Sequence, residues 1–319
     1  MALGPKPRDW DVQEEVLNDR IDHKDLTIGI VFLLQSTVGI AGNFSLLSCY
    51  LIHYYTEQTL KNTDLILTHM FTANSLIIFS KGLLHTMRAF GVEKFINDFG
   101  CEFLLYIQRL GRNMSIGMTC FLSVFQAITI SPVNSFWLCL KVKAPKHISL
   151  FTSLCWIHCM SINMVFPVYR YIKGNVNNLT HKSGMKYCST LSHDDHTSSL
   201  YTACFVVPEI LFSVIIVWSS ISMIIVLYRH KQRVQYIHST SVSSSTSTES
   251  KATHRIMALV LTFIGFYALS SILQGCIALI YNPSWWLMNI TAIISMCFPT
   301  LGPFVMSHDS QCQCCAFKE

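Results

Sequence analysis

The stretch Thr27-Ile-Gly-Ile-Val-Phe-Leu-Leu-Gln-Ser-Thr-Val-Gly-Ile-Ala-Gly-Asn-Phe-Ser-Leu-Leu-Ser-Cys-Tyr-Leu-Ile52 carries no charge along its whole length. A bilayer-spanning helix needs about 20 mostly apolar residues, so this run is long enough to cross a membrane. Six more runs follow it: Leu65–Ala89, Cys101–Ile130, Ile148–Val168, Leu200–Leu227, Ile256–Ile280 and Trp285–Met306. No long apolar stretch is left over. The expected fold is an all-α membrane protein, a bundle of seven transmembrane helices over residues 27–306. A polar N-terminal tail, residues 1–26, precedes the bundle and a short tail, residues 307–319, follows it.

Composition agrees. Of the 319 residues, 51% are hydrophobic and 13% charged, and the mean hydropathy is +0.41. Soluble domains carry about 25% charged residues, so most cytosolic enzymes and disordered chains are excluded. The net charge of +5 is modest, and no dense basic run points to nucleic acid. The first 25 residues hold seven Asp or Glu and lack the apolar core of a signal peptide, so the first span is expected to do the targeting. No repeat marks an inverted-repeat transporter. There is no nucleotide-binding glycine pattern, no His-Glu-x-x-His and no Gly-x-Ser-x-Gly. No enzyme, cofactor or metal site is expected.

Charge does not orient the chain. With the N-terminus outside, the inner segments hold ten Lys or Arg and the outer ones nine, which is no useful positive-inside bias. Two other features do orient it. Asn178-Leu-Thr is the one Asn-x-Ser/Thr sequon in a loop, those at Asn43, Asn113 and Asn289 falling inside spans; glycan is added on the lumenal side. Cys101 and Cys188 fall on the same face, where a disulfide persists only on the oxidising side. The N-terminus is therefore expected outside, with glycan on Asn178 and a Cys101–Cys188 bridge.

Ionisable groups within spans are costly and mostly face the bundle interior. Lys81, His85 and Arg88 fall on one face of the second span, and Tyr106, Arg109 and Arg112 on one face of the third. Together they suggest a cationic cavity in the outer half, receptive to anionic or strongly polar small molecules. Arg109 is the leading candidate for ligand contact. The competing reading is internal pairing with Glu102 and Glu209, with Arg88 snorkelling to the surface. Basic residues Arg229, His230, Lys231, Gln232 and Arg233 follow the fifth span, where attraction to anionic membrane lipids is the plain reading. Cys312, Cys314 and Cys315 stand where palmitoylation occurs; their spacing fits no zinc signature.

Several segments together resemble one family, the vomeronasal type-1 pheromone receptors, which are seven-helix G-protein-coupled receptors. They are Asn113-Met-Ser-Ile with Leu122-Ser-Val-Phe-Gln-Ala-Ile-Thr-Ile-Ser-Pro132, Ser80-Lys-Gly, Tyr228 to Thr240, Phe266-Tyr-Ala-Leu-Ser-Ser271, Phe298-Pro-Thr and Pro303-Phe-Val. Asn178-Leu-Thr and Tyr187-Cys-Ser complete the set. The third helix lacks Asp-Arg-Tyr and the seventh lacks Asn-Pro-x-x-Tyr, so odorant and amine receptors fit less well. The resemblance implies an extracellular N-terminus, a multi-pass plasma-membrane receptor and a small pheromone-like ligand. It also implies a heterotrimeric G protein of the Gi class, contacted through Arg229 to Arg233. Glu209, at the start of the fifth span, joins Lys81, His85, Arg88, Tyr106, Arg109 and Arg112 as a candidate ligand residue. A bitter-taste-type chemoreceptor is the alternative receptor reading, and a seven-helix transporter the alternative from another class.

Overall fold

The computed structural model describes residues 9–57, 61–90, 97–130, 147–177, 207–237, 247–280 and 284–315. These form seven helices: α1 (Asp9–Glu57), α2 (Asn62–Ala89), α3 (Asp98–Ile130), α4 (Ile148–Asn177), α5 (Val207–Ile237), α6 (Ser247–Leu279) and α7 (Trp285–Cys315). No strand occurs among the described residues. Successive helices pack as neighbours, α4 and α5 excepted, and successive crossings run in opposite directions. The bundle therefore has one end where α1 begins, α2 ends and α3 begins, called here the N-terminal end.

Several helices outrun their apolar cores. Helix α1 starts at Asp9, well before the apolar run at Thr27, and α5 continues through the basic segment to Ile237. The α5 extension is rich in Arg, Lys and Gln, residues that lose little on entering a helix.

Six of the seven are long and apolar enough to cross a membrane, and α2 is the exception. At 28 residues its length suffices, but it carries Asp64, Lys81, His85 and Arg88. Position explains the difference. Helix α2 packs against α1, α3, α4 and α7, and Asn74, Ser80 and Lys81 on it are buried. A helix surrounded by protein need not be apolar all round, because its polar groups meet other helices rather than lipid.

The main core joins Met70 and Phe71 of α2 to Met114, Met118 and Leu122 of α3, closed by Leu259 and Phe263 of α6 and Phe298 of α7. A smaller cluster, Ile28, Phe32, Ile78, Ala292 and Met296, fastens α1 to α2 and α7. Two close approaches depend on glycine. A Cβ on Gly111 would stand 2.9 Å from the Ala73 carbonyl oxygen, and one on Gly82 would stand 2.8 Å from Ser36 Cβ. Small residues at such crossings let membrane helices approach at backbone distance.

Proline shapes α7. Pro303 has no N–H to give the carbonyl of residue 299, so that oxygen loses its helical donor. Asn43 Nδ2 of α1 supplies one instead, at 3.0 Å, while also donating to Gly39 O at 2.7 Å. The exchange ties α1 to α7 beside Pro303.

Candidate functional site

A small cavity of about 40 Å³ lies between α2, α3, α6 and α7, in the half of the bundle toward its N-terminal end. Its polar lining is Lys81 from α2, Arg112 and Ser115 from α3, Ser270 from α6 and Ser295 from α7. Half of the apolar wall is aromatic, Phe263, Phe266 and Tyr267 from α6 and Phe298 from α7. Phe263 stacks on Tyr267 with centroids 5.1 Å apart, and Phe298 meets Phe263 edge-on at 4.7 Å. A mostly apolar cleft with a few convergent polar groups is the usual form of a small-molecule site.

Lys81 is buried, and its Nζ donates to Ser295 Oγ. The Ser295 hydroxyl donates in turn to the Ala292 carbonyl at 2.7 Å, so toward lysine the oxygen acts as acceptor. Among the described residues no carboxylate lies within ion-pair distance of Lys81. A buried charge with only a neutral partner is costly, and this one faces the cavity.

Arg112 is satisfied differently. It forms an ion pair with Glu209 of α5, with Nε also 3.2 Å from the same carboxylate oxygen. Nη1 donates to Gln274 Oε1 at 3.2 Å, and Nη2 lies 3.4 Å from the Tyr267 hydroxyl. The guanidinium also sits 5.1 Å from the centre of the Tyr267 ring, within cation–π range.

At the cavity floor Ser115 Oγ donates to Asn74 Oδ1 at 2.8 Å, joining α3 to α2 in the core. Thr119 continues the line, donating to the Ser115 carbonyl at 2.7 Å.

Three of the seven residues expected at a ligand site thus meet here, with Lys81 and Arg112 lining the cavity and Glu209 bound to Arg112. The others do not line it. His85 is turned toward α1, stacked on Phe32 at 4.6 Å. Tyr106 faces α4, its hydroxyl 3.5 Å from the Met160 carbonyl. Arg88 is in the last turn of α2. Arg112, rather than Arg109, reaches the cavity. The aromatic wall was missed, although Phe263, Tyr267, Ser270 and Gln274 recur at the i, i+4, i+7, i+11 spacing of one helix face.

Elsewhere, Cys101 is disulfide-bonded, while Cys188 and Asn178 lie outside the described residues. Arg229 is exposed on α5; His230, Lys231, Gln232 and Arg233 belong to the same helix, but their side chains lie outside the described set. The same holds for Cys312, Cys314 and Cys315 at the end of α7.

A seven-helix bundle with a cavity opening among α2, α3, α6 and α7 has the architecture of the G-protein-coupled receptors. The solved structure of squid rhodopsin has the same fold, with a TM-score of 0.65 at 13% identity over 93% of this chain and 85% of that one. The sequence pattern of the vomeronasal organ pheromone receptor family matches residues 26–315, and the chain belongs to that family. Human vomeronasal type-1 receptor 2 is 47% identical over 86% of this chain and 69% of its own length. Human vomeronasal type-1 receptor 4 is 44% identical over 88% and 93%, and zebrafish (Danio rerio) olfactory receptor class A-like protein 1 is 25% identical over 87% of each. The chain is a multi-pass plasma-membrane chemoreceptor of the G-protein-coupled class.

Proposed function

We propose that the chain binds a small anionic or strongly polar molecule from the extracellular side and activates a heterotrimeric G protein of the Gi class. The observation that carries this is Lys81, a buried cation lining an aromatic cavity, with Ser295 as its hydrogen-bond partner. A ligand acid beside it supplies the missing counter-charge, while the wall of Phe263, Phe266, Tyr267 and Phe298 takes the apolar body. Binding acts by favouring one of two pre-existing helix arrangements. The basic segment Arg229 to Arg233 forms part of the G-protein contact.

In this reading the N-terminal end of the bundle is extracellular. Cys101 pairs with Cys188, which draws the loop after α4 over the cavity mouth, and Asn178 in that loop carries glycan. Support for this arrangement comes from the disulfide at Cys101 and from the sequon. Cys312, Cys314 and Cys315 carry palmitate at the inner surface.

The test is a dose–response series on cells expressing the chain with a promiscuous G protein, screened with small carboxylic acids and neutral analogues. For an active acid, Lys81→Gln at equal surface expression should shift the midpoint by about 10- to 150-fold, the range of a lost charge-assisted hydrogen bond. An unshifted curve would remove Lys81 from the ligand site. A response that persists without any G protein would favour a transporter.

A further inference from the structure

A carboxylate of the chain itself, Glu209, is seated on the cavity-lining Arg112. A guanidinium presents its N–H groups as a rigid fork that suits a carboxylate, and Glu209 occupies that fork on Arg112. The pair is not sealed off, since the two side chains are 23% and 22% exposed, and its Arg112 half lines the cavity. Arg112 is also where three helices meet: α3 through its own backbone, α5 through Glu209 and α6 through Gln274 and Tyr267. Helices α5 and α6 touch each other far less extensively than α6 and α7 do. The Arg112 cluster is therefore a main polar link between them at this end.

We propose that Glu209 is an internal competitor for the acidic group of the ligand. While seated on Arg112 it ties the start of α5 and the end of α6 to α3. An acid that takes its place frees α5 from that tie. Lys81 and Arg112 carry one positive charge more than Glu209 balances, so an acid drawn in beside Lys81 comes within reach of the Arg112 fork and competes with Glu209 for it. Binding and release thus become a single competition. The proposal rests on the reading of this cavity as the ligand site.

The test is hydrogen–deuterium exchange on the full chain in lipid nanodiscs, without a G protein. Without any ligand, Glu209→Gln keeps the side-chain shape but removes the charge. It should speed exchange in α5 and α6 by about tenfold or more, the effect of losing one charge-assisted bond on a local opening equilibrium. Helices α1 and α2 should not change, and Glu209→Asp, which keeps the charge, should stay closer to the native pattern. Unchanged exchange in α5 and α6 would overturn the tie. Faster exchange throughout, α1 and α2 included, would also overturn it by marking a merely structural pair. Excess benzoate is the second probe. It should loosen α5 and α6 in the native chain and add nothing to Glu209→Gln. If benzoate leaves the native chain untouched although Glu209→Gln loosens it, the competition is refuted. Signalling enters neither arm, so a failure of the receptor reading would show separately, in the cell assay.

Discussion

Helices α3 and α5 pack side by side and use the same kinds of residue in opposite ways. The spanning stretch of α5 is the more hydrophobic, with a mean hydropathy of 2.2 against 1.4 for α3, yet 22% of it is buried against 61%. In water the more apolar helix would be the inner one. In a bilayer the lipid is as apolar as leucine, so no hydrophobic force favours burying α5 further. What must turn inward is polarity, and α3 carries it: Arg112, Ser115, Thr119 and Ser123 along its length. Helix α5 instead presents Leu211, Val214, Trp218 and Ile221 outward, each more than half exposed. Between these two helices, hydropathy reports exposure to lipid, and the local deficit in α3 locates the functional interior.

The contrast breaks most sharply if one substitution is made on each kind of surface. At Gly111 of α3 a Cβ would fall 2.9 Å from the Ala73 carbonyl oxygen and 3.0 Å from Ile77 Cγ1, whereas at Gly265 of α6 nothing lies within 4 Å. Gly111→Val should cost about 3 kcal/mol or more, at the upper end of overpacking because backbone stands in the way. Gly265→Val should be neutral or gain slightly, since glycine is the poorer helix former. Thermal unfolding of the two purified variants in one detergent gives the comparison. Equal melting temperatures would show that the α2–α3 crossing is not tight.

A smaller effect is expected where α1 meets α7. Asn43→Ala removes the donor that reaches the Pro299 carbonyl and leaves that oxygen without a hydrogen bond beside Pro303. The expected loss is about 1 kcal/mol, between the average for polar contacts within membranes and the cost of an orphaned buried carbonyl. It should appear as reduced thermal stability. If the double variant Asn43→Ala with Pro303→Ala is as stable as the native chain, the restored helical bond confirms the cause; if it is no more stable than Asn43→Ala alone, the account fails.

Much of this was legible in the sequence because membrane spans announce themselves by length and charge. The run from Thr27 to Ile52 needed no structure to be read as a span. Helix α2 was legible for a second reason: Lys81 and Arg88 within an otherwise apolar run mark a helix that must turn polar groups inward. Depth and partner choice were not legible. Arg109 and Arg112 share a helix face at three-residue spacing, and only the packing of α5 and α6 against α3 decides that Arg112 meets Glu209 and the cavity. His85 illustrates the same limit. Its place on the Lys81 face suggested the cavity, but the turn of α2 delivers it to Phe32 of α1. The aromatic wall escaped notice because Phe and Tyr at helical spacing look like ordinary core.

The smallest effect is the one that most directly examines the lipid-facing reading of α5. Trp218 is 75% exposed, and an indole there meets hydrocarbon if α5 truly lines the outer surface. Replacing it by leucine exchanges one apolar surface for another against the same solvent. Trp218→Leu should therefore change the stability by no more than about 0.5 kcal/mol, the usual range for surface substitutions, and leave surface expression and dose–response unaltered. The same substitution would cost about 2 kcal/mol or more if the indole filled a packed interface. A loss of that size would mean that a protein surface, such as a second copy of the chain, covers this face of α5. The inverse relation between hydropathy and burial would then have to be recalculated for the assembly rather than for the single bundle.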